Sequence, residues 1–266
     1  MKHRSPWLAL LIALAVVSSS TLAATTATAR ESKKNKKNKK ADTDPLYSQS
    51  LMRQGLVFMQ QQRYEEAIGR FREAEEASPG NATINNMIGL CFMNLEQYDQ
   101  ALEQFDLALA AIPGFTDARN NRGTVYLALG QYRLAEVDFI AVLSDSTYPH
   151  RWKVYYNLGI TYLQQGQIGA AEENFNKAIT APRPVFEAYL RLAEIAKSQG
   201  RVDSALNLLE EARFKYPERI DGLLATGRLL VEIGRSDEAR PYLEDVIASS
   251  PSSNMADEAR LLLSQS

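Results

Sequence analysis

Few side chains in this sequence are of a type that could carry out chemistry. The chain of 266 residues contains two histidines and one cysteine. His150 is the only histidine outside the first few residues, which excludes a metal site built on several histidines and any catalytic triad that does not use this one imidazole. Cys91 lies at an apolar position of a helical pattern, where a buried small hydrophobe is expected rather than a nucleophile. We therefore predict no catalytic residues, no metal and no cofactor.

Carboxylate pairs and phosphate loops do not alter this prediction. The sequence contains no glycine-rich phosphate-binding loop. Adjacent glutamates lie on segments with helical periodicity, where solvated faces are expected, at Glu65–Glu66, Glu172–Glu173 and Glu210–Glu211. The side chains that remain of interest are amides, methionines and aromatic residues, and their placement depends on the elements that carry them.

Those elements repeat along the chain. Residues of the same type recur at a spacing of 34 residues, which is a period of helical repeat proteins. The first two units share this spacing at Gly55 and Gly89, Phe58 and Phe92, Ala67 and Ala101, Phe71 and Phe105, Ala74 and Ala108, and Pro79 and Pro113. Four further units follow the same pattern with more substitutions.

The pattern resembles the tetratricopeptide repeat from about residue 48 to residue 253. The resemblance implies two antiparallel helices per unit, with small residues at the eighth and twentieth positions facing each other and an aromatic residue at the twenty-fourth. We predict an all-α, right-handed superhelical solenoid with a concave groove. The predicted repeats lie near 48–81, 82–115, 116–151, 152–185, 186–219 and 220–253, followed by a capping helix at 254–266 whose N-cap is Asn254 or an adjacent serine.

The first 29 residues have the order of a secretory signal peptide. Lys2 and Arg4 precede the apolar run Leu8–Val17, and small residues follow it. The run is too short for a comfortable membrane span of about twenty residues. We predict cleavage after Ala23 or Ala29 and a periplasmic location; the alternative is an uncleaved membrane anchor.

Residues 30–47 form a predicted basic, disordered linker. Its lysine-rich part, Lys33–Lys40, cannot bury apolar surface. Two interpretations are equally open: a solvated spacer, or weak contact with an anionic membrane surface or polymer. A nucleic-acid partner is disfavoured because the rest of the chain is acidic and the chain is predicted to be exported.

The groove is where a partner is expected to bind. In this kind of repeat the concave face is lined by fixed positions of the first helix, several of which are asparagine here. An amide both donates and accepts, and can therefore bind a peptide backbone; the alternative is that these asparagines bond neighbouring helices. The predicted partner-binding residues are Gln49, Met52, Leu56, Met59, Asn86, Leu90, Asn120, Asn121 and Asn157. Later groove positions are charged: Glu187, Arg191, Glu194, Lys197, Asp221, Arg228 and Glu232.

One junction departs from the period. Gly123 and Gly159 are 36 residues apart, and the additional residues fall in the segment 145–159, DSTYPHRWKVYYNLG. Pro149 is expected to fix the turn, and Trp152 is expected to pack on the preceding unit. The segment is interpreted as a packing joint between the third and fourth units.

This junction also carries a second resemblance. An Asp-x-x-Tyr-Pro-x-Arg segment that runs into an Asn-Leu-Gly helix resembles the PilF/PilW/Tgl group of type IV pilus biogenesis proteins. The matching residues are Asp145, Tyr148, Pro149, Arg151, Asn157, Leu158 and Gly159. The resemblance implies a periplasm-facing pilotin that helps an outer-membrane secretin to assemble, with the first repeats carrying much of the activity. Such pilotins resemble lipoproteins, but no cysteine follows the signal here, and lipid anchoring is not carried over.

These observations favour a non-enzymatic protein-interaction scaffold. The leading hypothesis is assistance to type IV pilus or secretin assembly, with a secretin segment bound in the concave groove. The alternative is a generic periplasmic adaptor for another cell-envelope or polysaccharide-export complex. The sequence leaves the oligomeric state open.

Overall fold

The computed structural model describes residues 45–265, which form thirteen α-helices and no strand. The predicted signal peptide (1–29) and the lysine-rich tract Lys33–Lys40 lie outside the described residues. In chain order the helices are α1 (Pro45–Gln60), α2 (Tyr64–Ala77), α3 (Ala82–Asn94), α4 (Tyr98–Ala111), α5 (Thr116–Ala128), α6 (Tyr132–Ser144), α7 (Arg151–Gln164), α8 (Ile168–Thr180), α9 (Phe186–Ser198), α10 (Val202–Lys215), α11 (Ile220–Glu232), α12 (Ser236–Ser249) and α13 (Asn254–Gln265).

The helices stack as six pairs and a cap. Each helix packs on the next one along the chain, and α3 also contacts α5, α5 contacts α7, and α11 contacts α13. Contacts of this kind between neighbours in a one-dimensional array are typical of a solenoid, in which one pair alone could not bury its apolar face. The predicted all-α superhelical solenoid with a capping helix is confirmed.

The first and the last helix of the solenoid each start at a residue suited to a helix N-terminus. The first helix starts at Pro45, a residue suited to the first helical position because its missing N–H would be unpaired there in any case. It starts before residue 48, where the repeat domain is predicted to begin. At the other end the backbone N–H of Ala256 donates to the hydroxyl oxygen of Ser253 at 3.2 Å, and Ser253 is therefore the N-cap of α13.

In the first four pairs, a glycine of the first helix lies against the ring of a phenylalanine of the second. A Cβ atom added to Gly55 would lie 2.5 Å from Cε1 of Phe71, and one added to Gly89 would lie 2.6 Å from Cε1 of Phe105. The same relationship joins Gly123 to Phe139 and Gly159 to Phe175, and in the sixth pair Gly227 lies in the same way against the side chain of Leu243. The nearest neighbour of the glycine at the eighth position is thus the large residue at the twenty-fourth, not the alanine at the twentieth.

The turn between the two helices of each pair needs one residue in the left-handed region. Gly130, Gly166, Gly200 and Gly234 occupy this place in the last four pairs, with φ of 71°, 73°, 72° and 76°. In the first two pairs the same place is held by Gln62 at φ 59° and Glu96 at φ 57°. Because a side chain disfavours this conformation, the first two turns are locally less favourable than the last four.

The segment 145–159 is held together by its own side chains. One guanidinium nitrogen of Arg151 donates to the carbonyl oxygens of Leu143 and Asp145, at 2.7 and 2.8 Å. The other donates to the hydroxyl of Tyr155 at 2.9 Å. Arg151 thus satisfies carbonyl groups at the end of α6 that have no partner within the helix.

Two further contacts fix the turn of this joint. Tyr148 is buried, and its hydroxyl donates to a carboxylate oxygen of Asp117 on α5 at 3.0 Å. Trp152 packs against the buried cluster formed by residues of α8, α9 and α10. The residues that carry the resemblance to pilus proteins therefore connect α5, α6 and α7.

Candidate partner-binding groove

The candidate groove is formed by the first helices of the pairs, α1, α3, α5, α7, α9 and α11. Two side-chain hydrogen bonds join neighbouring members of this row in its first half. The amide nitrogen of Asn121 donates to the amide oxygen of Asn86 at 3.0 Å. The amide nitrogen of Asn157 lies 3.5 Å from the hydroxyl of Thr124. Asparagines in this row therefore bond neighbouring helices, which is one of the two roles expected for them.

The burial of these amides differs from one to the next. Asn86 is only 2% exposed, and its amide oxygen already accepts a hydrogen bond from Asn121. Asn120, Asn121 and Asn157 are half-buried. The amide oxygen of Asn120 is buried and has no hydrogen-bond partner among the described residues. Contact of these three amides with a partner stays a prediction, and Asn86 offers a partner almost no surface.

The first helix presents the predicted residues on one face. Gln49, Met52, Leu56 and Met59 follow one another at spacings of three, four and three residues, which places them along one side of α1. Gln49 is exposed, and Leu56 is exposed over 40% of its surface. Met52 and Met59 are half-buried and pack against the core of the first two pairs.

The second pair continues this apolar character. Leu90 is half-buried, and with Met87 and Met93 it packs on the same core cluster as Met52 and Met59. Methionine and leucine here form a surface whose side chains can adapt in shape, because methionine is unbranched and flexible. The early groove therefore combines an apolar strip on α1 and α3 with half-buried amides on α5 and α7.

The last part of the groove holds a cavity of about 350 Å³ between α9, α11 and α13. Its walls include the apolar side chains Leu190, Leu224 and Leu229. Ion pairs cross its rim: Lys197 binds Glu232 at 2.8 Å, and the guanidinium of Arg228 donates to Glu258 at 2.8 Å. The charged groove positions noted in the sequence are thus used in part to tie neighbouring helices together.

The cap helix also lines this cavity, a role that its sequence pattern did not indicate. Met255 and Glu258 of α13 line it, although the cap was expected only to close the solenoid. Their spacing of three residues places them on one helical face. That spacing, next to the charged row of α11, is the signal that could have identified them.

The residues considered for chemistry are placed as follows. Cys91 is fully buried, and burial raises the pKa of its thiol to about 12, which leaves no thiolate at neutral pH. His150 is exposed and packs edge-on against Tyr148 and Trp152. Over residues 45–265 no group of three or more His, Cys, Asp or Glu side chains is arranged to hold a metal ion. In the same range, none of the helices has the length and apolar character needed to cross a membrane.

A family model described as tetratricopeptide repeat matches residues 52–114, 120–185, 156–220 and 190–254. Among curated proteins, DnaJ homolog subfamily C member 3 of Gallus gallus is 29% identical over 109 residues, which is 41% of this chain and 22% of that protein. BBSome complex member BBS4 of Bos taurus is 25% identical over 105 residues, 40% of this chain and 20% of that protein. The chain matches only about a fifth of the length of these relatives.

Solved structures match over more of their length. The structure of PilF from Pseudomonas aeruginosa has a TM-score of 0.69 and 23% identity, covering 81% of this chain and 97% of that one. PilW, described as a widely conserved type IV pilus biogenesis factor, has a TM-score of 0.70 and 24% identity, covering 79% and 96%. YrrB, described as a repeat protein with an unusual peptide-binding site, has a TM-score of 0.53 and 20% identity, covering 72% and 97%. At these identities the similarity establishes the fold.

Proposed function

Because the chain belongs to the tetratricopeptide repeat family, whose stacked helix pairs form a groove for protein partners, we propose that it is a non-enzymatic scaffold for type IV pilus assembly. In this proposal it binds a segment of an outer-membrane secretin and assists the secretin to form multimers. The binding surface is the early groove, and the binding of an apolar segment there requires no cofactor.

The observation that carries the proposal is the extent of the similarity to pilus proteins. PilF and PilW cover 81% and 79% of this chain with TM-scores of 0.69 and 0.70, whereas YrrB covers 72% with a TM-score of 0.53. Because stacked repeats can differ in curvature and twist, the better agreement with the two pilus proteins than with YrrB is more specific than the presence of the repeat. The joint formed by Tyr148, Pro149 and Arg151 adds a resemblance at the sequence level.

The chemistry of the early groove is suited to an apolar partner segment. The side chain of Leu56 is partly exposed between the half-buried Met52 and Met59. An amphipathic helix or strand laid across α1 and α3 would cover this strip. Its backbone could then meet the amides of Asn121 and Asn157 on the next two first helices.

The proposed location follows from the predicted signal. Export of the chain would place the groove in the periplasm, where secretin segments are accessible. The tract Lys33–Lys40 would then act either as a spacer or as a contact to anionic headgroups, in place of a lipid anchor.

The first test is capture of partners from the host that makes this chain. The tagged full-length chain is recovered from detergent-solubilised envelope, and the bound proteins are identified by mass spectrometry. We expect a secretin among them. Recovery of a different envelope complex, with no pilus component, would contradict the proposal and favour a generic periplasmic adaptor.

A second test locates the binding surface on α1. Leu56 and Val57 are both exposed, by 40% and 50%, but successive residues point to different sides of a helix. We expect Leu56→Glu in a deletion background to abolish secretin multimers on immunoblots and Val57→Glu to retain them. If both variants lose secretin multimers equally, the partner binds the end of the solenoid rather than the groove. If both variants retain the multimers, α1 is not part of the binding surface.

A further inference from the structure

The outer face of α6 differs from the outer face of every other second helix. Three large apolar residues lie there, Leu134, Val137 and Ile140, with exposures of 48%, 64% and 49%. The spacing of three residues aligns them along one side of the helix. We call these three residues the α6 stripe. The opposite side of α6 carries the buried Ala135, Phe139 and Val142.

The repeats supply an internal control for this feature. At the three corresponding places of the other pairs, no large aliphatic residue occurs. The first place holds Glu66, Gln100, Ala170, Ser204 and Glu238; the second holds Gly69, Glu103, Glu173, Asn207 and Pro241; the third holds Arg72, Asp106, Asn176, Glu210 and Glu244. The fold thus does not require apolar residues here, and α6 is apolar on both faces. A helix of this kind is normally covered on both sides.

Two other exposed apolar residues are sequence neighbours of residues that line cavities with α6. Leu134 lines a cavity together with Gln167, which directly precedes the exposed Ile168. At the other end of α6, Ala141 shares a cavity wall with Pro113, which directly follows Ile112, itself 50% exposed. The stripe itself extends from Leu134 to Ile140, about 9 Å along α6.

The charges at the two ends of α6 are complementary to those of a second copy of the same helix. Arg133 lies in the first turn, is exposed, and forms no ion pair within residues 45–265. Asp145 is the half-buried C-cap residue; its carboxylate accepts hydrogen bonds from Thr147 and Thr116 and forms no ion pair within the same range. A cation at the N-terminus and an anion at the C-terminus both oppose the dipole of their own helix. In an antiparallel pair of two such helices, each charge would instead meet the opposite charge and the opposite helix end of the other copy.

We propose that the α6 stripe is the contact surface of a two-fold dimer of this chain, with α6 packed antiparallel against α6 of a second copy. A two-fold axis near Val137 places Arg133 opposite Ala141 of the partner. Asp145 is one turn further along, about 6 Å, which an arginine side chain can span. No like charges meet on the axis, because the other acidic residues of α6, Glu136 and Asp138, are half-buried and buried. A two-fold contact of this kind uses the same patch twice.

The decisive substitution is Val137→Glu in the full-length chain. It should leave the fold unchanged, because Glu103 and Glu173 occupy this place in the neighbouring pairs. Sedimentation equilibrium over about 1 to 100 µM should show a monomer–dimer equilibrium for the wild type. For Val137→Glu, where two carboxylates would meet on the axis, we expect the dissociation constant to rise at least about 100-fold. Asn207→Glu, the same change in the fifth pair, should leave the constant unaltered.

A cross-linking experiment tests the geometry independently. Cys91 is the only cysteine of the chain and is fully buried, so an added surface cysteine reacts alone. We expect Val137→Cys, on the axis, to form a disulfide-linked dimer under mild oxidation, and Asn207→Cys to stay monomeric. A wild-type chain that is monomeric throughout the concentration range would overturn the proposal, as would equal cross-linking of the two cysteine variants.

Discussion

Arg122 of α5 and Asp138 of α6 form a two-pronged ion pair inside the third helix pair. Nε of Arg122 donates to one carboxylate oxygen at 2.8 Å and Nη2 donates to the other at 2.7 Å. Asp138 is 1% exposed, whereas the second acidic partner of Arg122, Asp106, has a mostly exposed side chain. Hydrogen bonding to Asp138 raises the pKa of the Arg122 guanidinium, which is charged at every pH at which the protein folds.

Removal of one member of this pair should strongly destabilise the protein. In Asp138→Ala the charge of Arg122 loses its buried partner, and we expect the free energy of unfolding to fall by about 3–5 kcal/mol. Asp106→Ala removes only the exposed partner and should cost less than about 1 kcal/mol. Urea denaturation followed by circular dichroism measures both. Equal losses for the two variants would contradict the assignment of Asp138 as the buried anchor.

A glycine in the turn of the second pair should stabilise the chain. Glu96 has φ of 57°, and the last four pairs have glycine at the same place. The strain of a side chain in the left-handed region exceeds the entropy that glycine loses on folding, so Glu96→Gly should add about 0.5–1 kcal/mol. Gln199→Gly is the control. Gln199 directly precedes Gly200 but has a negative φ of -91°, so glycine relieves no strain there and should lower the free energy of unfolding. Urea denaturation measures both variants. A lower urea midpoint for Glu96→Gly than for the wild type would show that the side chain of Glu96 makes an interaction that compensates for the strain.

The resemblance of Tyr148, Pro149 and Arg151 to pilus proteins allows two roles for the joint, and substitutions separate them. Arg151→Ala removes charged donors from the carbonyl oxygens of Leu143 and Asp145 and should cost about 2 kcal/mol of stability. Tyr148→Phe loses the bond to Asp117 and should cost about 1 kcal/mol. If the joint acts only in packing, both variants should retain partner capture per folded molecule. Loss of capture in a stable Tyr148→Phe protein would give the joint a direct role in binding.

The sequence was sufficient to predict the fold because the residues that determine it repeat. A glycine at the place of Gly89 and a phenylalanine at the place of Phe105 recur in neighbouring units. Their period of 34 residues alone indicates paired helices. The groove was less predictable. Asn86 and Asn121 have the polarity expected of ligand-binding residues, but a hydrogen bond between adjacent helices uses the same groups, and only the distance between the two amides distinguishes the roles.

The α6 stripe could not be predicted from the sequence either, because the same helix serves two purposes. Leu134, Val137 and Ile140 lie in a helix that also needs Ala135, Phe139 and Val142 for the core, and an all-round apolar helix gives no periodic signal. The difference emerges only when the six second helices are compared at equivalent places, which requires the helix boundaries.

The contact between Gly89 and Phe105 leads to a prediction that uses the chain's own variation as a guide. A Cβ atom at residue 89 would lie 2.6 Å from the ring of Phe105, too close for van der Waals contact. Gly89→Ala should therefore destabilise by about 1–3 kcal/mol through overpacking. Gly69→Ala, on the exposed face of α2 with no atom within 4 Å of the added Cβ, should instead stabilise by up to about 1 kcal/mol.

The fifth pair shows how the clash at Gly89 can be relieved. It has Ala193 where Gly89 stands and Leu209 where Phe105 stands. In a double-mutant cycle, Phe105→Leu alone should destabilise by loss of buried ring surface, but it should reduce the cost of Gly89→Ala because the smaller side chain can shift. We expect a coupling free energy of about 1 kcal/mol in the favourable direction, measured by urea denaturation of the four proteins. Simple additivity of the two costs would show that the clash is relieved by movement of the helices rather than by the side chain of residue 105.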